Sequence, residues 1–103
     1  MRDDDDDEVS LAWVDSLRPH AACPKVGELP ESYLRQIWTY GVKLPIHITE
    51  AGEVVVGVRR WTAARRLGVT DVPVRVIREE DQAPGYVEFA ARHLNGEPGV
   101  NGE

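Results

Sequence analysis

The sequence predicts a single α+β domain, a small mixed sheet with packed helices, over residues 9–94. Three observations lead there. The chain has 103 residues, the size of one domain. Apolar residues alternate in some short stretches and recur at three- and four-residue spacing in others, so strand and helix periods are both present. Glycines and prolines fall between these stretches, where they punctuate rather than interrupt. In order, the elements read β, α, β, β, α, β, α, without an internal repeat.

Val9, Leu11 and Trp13 alternate with Ser10 and Ala12 ahead of Val14 and Leu17, which predicts a strand burying that alternate face. A loop containing Pro19 and Pro24 follows. Pro30 suits a first helical turn, Glu31 favours the positive helix start, and Leu34, Ile37 and Trp38 repeat at helical spacing until Gly41, predicting a helix over 30–40. Residues 45–49 and 53–56 flank Glu50-Ala51-Gly52, a hairpin whose turn needs a glycine. Gly57 ends the second strand. From Arg59 to Leu67, residues Arg60, Ala63, Ala64 and Leu67 share one face and Gly68 can close the helix. Residues 72–77 are rich in β-branched side chains, with Pro73 near the start, and predict a last strand. Residues 86–94 predict a final short helix. Trp13, Trp38 and Tyr33 stand at core-type spacings, and Trp61, on the flank of the second helix, is the candidate for stacking on a ligand.

Both ends differ in composition from this domain. Asp3 to Glu8 is a run of like charge with nothing apolar to bury, predicting a disordered acidic tail over 1–8. Residues 95–103 carry turn formers and no period, predicting a flexible C-terminal tail. The formal net charge of −6 is unevenly spread. Between Val54 and Arg78 stand Arg59, Arg60, Arg65, Arg66, Arg75 and Arg78 against Asp71 alone, so the middle of the chain is basic. No apolar run approaches the roughly 20 residues that cross a bilayer, and the acidic start is unlike a secretory signal. The expected setting is the cytoplasm, with no membrane partner. Cys23 is the single cysteine, so no internal disulfide can form.

A strand that ends at a glycine and turns directly into a helix aims unpaired backbone N–H groups, and the positive end of the helix dipole, at one point. Gly57-Val58-Arg59-Arg60 adds two guanidinium groups there, where a cation opposes the dipole. A bound phosphate would reverse that repulsion. The residues alone also allow a plainer reading, in which Gly57 only makes the turn and the arginines pair with Asp71 or the acidic run.

The stretch Gly57-Val58-Arg59-Arg60-Trp61-Thr62-Ala63-Ala64 resembles the Gly-Glu-Arg-Arg-x-x-Ala-Ala box of ParB-like N-terminal domains, members of the ParB/sulfiredoxin fold. Three further segments correspond in order: Val14 to Pro19, Gly41-Val42-Lys43-Leu44-Pro45-Ile46, and Val72-Pro73-Val74-Arg75-Val76. The resemblance implies a nucleotide ligand, CTP or another nucleotide, with phosphate contacts at Gly57, Arg59 and Arg60. Pro24-Lys25 is similar to the end of the family's Gln-Pro-Arg motif and adds Lys25. The chain departs from the pattern at Val58, which replaces a glutamate, and at Leu44, which replaces a frequent glutamine. The family's metal-associated Glu-Asn-x-x-Arg does not follow Ile77, so nucleotide hydrolysis is not implied, and a role for magnesium is left open.

No catalytic set and no metal site emerges. Sulfiredoxin's nucleophilic cysteine would fall near Val58, which carries no nucleophile. The carboxylate that a free-serine kinase on this fold needs could come only from Glu28 or Glu31, each explained more simply by its local position. His20, His47 and His93 are scattered and read as surface residues. After Ile77 only one helix fits, leaving no helix-turn-helix to read base edges, so sequence-specific DNA binding by this chain is not expected. The sequence thus points to a nucleotide- or phosphate-binding module of an intracellular DNA-partition or regulatory system, with a protein partner open. Its rivals are a DNA-associated, transcription-related accessory protein and a small phosphotransfer enzyme.

Overall fold

Every predicted element is present in the computed structural model, which describes residues 9–95; of the tails expected over 1–8 and 95–103, all but Asn95 lies outside the described residues. The strands are β1 (Ser10–Trp13), β2 (Arg18–Pro19), β3 (Ile46–Thr49), β4 (Glu53–Val56) and β5 (Asp71–Ile77), and the helices are α1 (Glu31–Tyr40), α2 (Val58–Leu67) and α3 (Tyr86–His93). One mixed sheet takes the order β1-β5-β3-β4-β2. β3 and β4 form the expected antiparallel hairpin, whose Gly52 adopts φ +87°. β5 then lies parallel to β3, with Ile46 opposite Val74 and Ile48 opposite Val76, and α2 makes the crossover.

Two layers of side chains hold the sheet. On one face Ile46, Ile48, Val54, Val72 and Val74 pack against Val58, Trp61 and Ala64 of α2. Behind them, Ala63 meets Tyr33 and Ile37 of α1 and Leu29; with only methyl groups at Ala63 and Ala64, both fully buried, α2 sits close to both neighbours. On the opposite face α3 lays Val87, Ala90 and Ala91 over Val55, Val56 and Ile77.

Three expectations are corrected. The sequence assigned Val9, Leu11 and Trp13 to a buried face, yet Leu11 is 72% and Trp13 68% exposed, while Val14 is buried. The cause is coverage: α3 spans β4 and the end of β5 but leaves β1 bare on that side, so the inward register is Ala12 and Val14. Trp38 is also exposed, because it stands about 100° round the helix from Ile37, outside the Tyr33–Ile37 stripe. The proline-bearing loop is not wholly irregular either, since Arg18–Pro19 pairs in parallel with β4, too short a strand to show a period.

Candidate functional site

The turn into α2 is built as its sequence demands. Gly57 adopts φ +101°, ψ +25°, a left-handed conformation that strains any residue with a side chain. A Cβ there would stand 3.3 Å from both Ile46 Cγ1 and the Arg60 guanidinium carbon. The glycine therefore supplies both the backbone angle and the space that Arg60 occupies.

Arg59 and Arg60, adjacent in sequence, leave the helix in different directions. Arg60 is buried, and its Nη1 donates at 2.9 Å to the carbonyl oxygens of both Leu44 and Pro45. Burial pulls its pKa below the ordinary guanidinium value, with Tyr33 opposing. It ties the entry of β3 to the start of α2. Arg59 is half-buried, lies over the Tyr33 ring at 5.2 Å and borders a cavity of about 370 Å³ with Lys25, Glu28, Val58 and Asn95. The structure thus brings Lys25 and Arg59 to one cleft beside the Gly57 turn. Arg60 borders a second hollow, of about 410 Å³, with Tyr33, Gln36, Tyr40 and Lys43.

The residue that sequence reasoning missed is Asn95. Turn-forming neighbours assign it to the C-terminal tail, but it is buried directly after α3. Its Oδ1 accepts from the Gly57 N–H at 2.8 Å and the Val58 N–H at 3.0 Å. Its Nδ2 donates to the carbonyl oxygens of Val55 at 2.7 Å and Ala91 at 2.9 Å. One carboxamide thus satisfies two of the N–H groups expected to meet a phosphate, and joins β4, α2 and α3. The available signal was weak: an asparagine followed by glycine reads as a turn, and of the Glu-Asn-x-x-Arg pattern only the asparagine is present, with Leu94 before it and Pro98 three residues later.

Neighbouring groups complete the environment. Cys23 Sγ lies 3.2 Å from the Val54 carbonyl oxygen and 3.5 Å from Asn95 Nδ2, and burial pushes its pKa up. His47, expected at the surface, is half-buried on β3; burial, then Arg75 and Arg60, hold its pKa below the usual imidazole value. Trp61 is no stacking platform, being buried with its indole N–H donating to the Val14 carbonyl at 3.0 Å. Among the described residues no three His, Cys, Asp or Glu side chains converge as metal ligands, and no helix is long and apolar enough to cross a membrane.

Residues 8–89 match the model of the ParB N-terminal domain. The chain belongs to that family. No curated protein matches it, but solved structures do. One is the C-terminally truncated chromosome-partitioning protein ParB from Caulobacter crescentus complexed with CTP-γ-S, 28% identical with a TM-score of 0.63, covering 82% of this chain and 50% of that one. Another is a Pnob8-like ParB-N domain, 12% identical with a TM-score of 0.55, covering 67% of this chain and 29% of the other; at that identity it supports the fold alone. The chain therefore spans half or less of these relatives. The five-stranded mixed sheet with its three helices is that of the ParB N-terminal domains it matches.

Proposed function

We propose that this ParB N-terminal domain is a nucleotide-binding module of a DNA-partition or regulatory system, taking a nucleoside triphosphate, CTP first, in the cleft between the 24–29 loop and the start of α2. The observation that carries this reading is the convergence of Lys25 and Arg59, distant in sequence, on one cavity beside a left-handed glycine turn. Two cations facing a helix N-terminus offer charge-assisted hydrogen bonds to an anion, against one local carboxylate, Glu28. The likeness to a ParB solved with CTP-γ-S supports the choice of nucleotide. Gly57 shapes the turn, and Arg60, committed to two carbonyl groups, holds the scaffold under it. Because the Gly57 and Val58 N–H groups are bonded to Asn95, phosphate recognition rests first on the Lys25 and Arg59 side chains. Duplex DNA is not read in sequence by this chain; its retention should be weak and fall steeply with salt.

Isothermal titration of the wild type and variants against CTP, ATP, GTP and pyrophosphate tests this. Lys25→Ala and Arg59→Ala should each weaken binding about tenfold or more, whereas Arg92→Ala, whose partner is Glu88, should change it little. Arg60→Ala should lower the unfolding midpoint, with any loss of affinity following from the loss of fold. Equal losses at Arg59 and Arg92 would mean diffuse electrostatics, and no heat from any of the four ligands would overturn the reading.

A further inference from the structure

The start of α2 is capped from outside the helix. Its N-cap is Gly57, which has no side chain to offer, and its first turn carries no acid but holds Arg59 and Arg60. The group that meets this positive end is the Asn95 carboxamide, a neutral group 37 residues beyond Val58 in the chain. Its Oδ1 accepts the Gly57 and Val58 N–H groups at 2.8 and 3.0 Å, as an anion oxygen does at a helix start. Asn95 and Val58 also border the cleft of Lys25, Glu28 and Arg59. One side chain thus links the N–H pair to the cavity wall.

We propose that Asn95 is an internal competitor for the anion: its Oδ1 holds the two donors that a ligand phosphate would take, and binding exchanges one acceptor for the other. The inference rests on the nucleotide reading above and adds the regulation of that site. Charge sets the direction of the exchange. A phosphate oxygen here accepts charge-assisted bonds, roughly twice as strong as those to a neutral amide oxygen, and the helix dipole favours it further. Against it stand the bonds from Asn95 Nδ2 to the Val55 and Ala91 carbonyl oxygens, which are lost when the carboxamide turns away. Two stronger bonds against four weaker ones leave the states near balance. The exchange is therefore open to the ligand, and the affinity is lowered by the small fraction of molecules in which the N–H pair is free to accept it. Only the side-chain torsions of Asn95 need change, because α3 is held separately by Val87, Ala90 and Ala91 in the core.

The test titrates CTP and pyrophosphate by calorimetry into the full chain and two variants of it. Asn95→Ala frees the N–H pair and should bind both ligands about tenfold more tightly than the wild type, although its unfolding midpoint falls. Asn95→Asp sets a permanent charge on the same two donors and should bind about tenfold more weakly or worse. A residue that only supports the fold, or that holds the ligand itself, would lose affinity in both variants. Should a variant fail to fold, the wild type labelled with 15N decides alone. On saturation with either ligand the Asn95 side-chain amide signals should move toward those of a solvated carboxamide and exchange faster, while the Gly57 and Val58 amides shift and stay protected. Binding that leaves the Asn95 signals unmoved, or weaker binding by a folded Asn95→Ala, would overturn the competition and leave the cleft reading standing. Binding by Asn95→Ala alone would support the competition, and no binding by either protein at about 1 mM ligand would overturn both.

Discussion

Two single residues carry the start of α2, and they do so from opposite ends of the sequence's legibility. Gly57 could be read directly: a glycine between a β-branched strand and an amphipathic helix has few other uses. Gly57→Val should lower unfolding stability by about 2–3 kcal/mol, combining left-handed strain with the clash against Ile46 and Arg60, as measured by urea denaturation. Asn95 could not be read, because three of its four backbone partners lie 37 to 40 residues away in the sequence. Asn95→Ala would leave two buried N–H groups and two buried carbonyls without this partner. A loss of about 2 kcal/mol or more is expected, and a denaturation curve matching the wild type would mean that water replaces the carboxamide at no cost. Lys25 and Arg59 were legible as candidates from the motif they resemble, but the opposed fates of Arg59 and Arg60 were not. Helical spacing placed Arg60 on the inward face without saying that two carbonyl oxygens awaited it.

At the scale of elements, periodicity served the helices better than the outer strands. α1, α2 and α3 follow from spacing and punctuation because each buries one stripe. For β1, alternation specified two faces and not which one is covered; that choice depends on the reach of α3, a long-range fact. β3 has covered neighbours on both sides, and this gives it a pH dependence. His47 stands opposite Arg75 in the ladder, and its depressed pKa means that the folded state binds a proton less readily than the unfolded chain. This contribution to stability is fully present above the unfolded value of about 6.5 and declines as pH falls below it, levelling off once pH passes the lower folded value. The urea midpoint should therefore be lower at about pH 5.5 than at about pH 7.5, and His47→Gln should reduce the difference. A wild-type midpoint that rises on acidification, or an equal drop in the variant, would refute the assignment.

Across the whole molecule, the sheet divides the core into a layer under α2 and a layer under α3, and Cys23 packs against both. Position and chemistry together make this thiol a clock for the molecule's breathing. The thiolate is the form that attacks the methylene carbon of an alkylating reagent and displaces its iodide; burial disfavours that form, and the reagent must also reach a sulfur set against the Val54 carbonyl and the Asn95 carboxamide. Cys23 is only partly buried, so the rate of its modification by iodoacetamide should fall below that of a free cysteine and track how tightly this junction is held. Asn95→Ala should quicken it by loosening the junction of β4, α2 and α3. A nucleotide that turns the Asn95 carboxamide out of the same junction should quicken it likewise, which would let the occupancy of the cleft be timed from a side chain outside its lining.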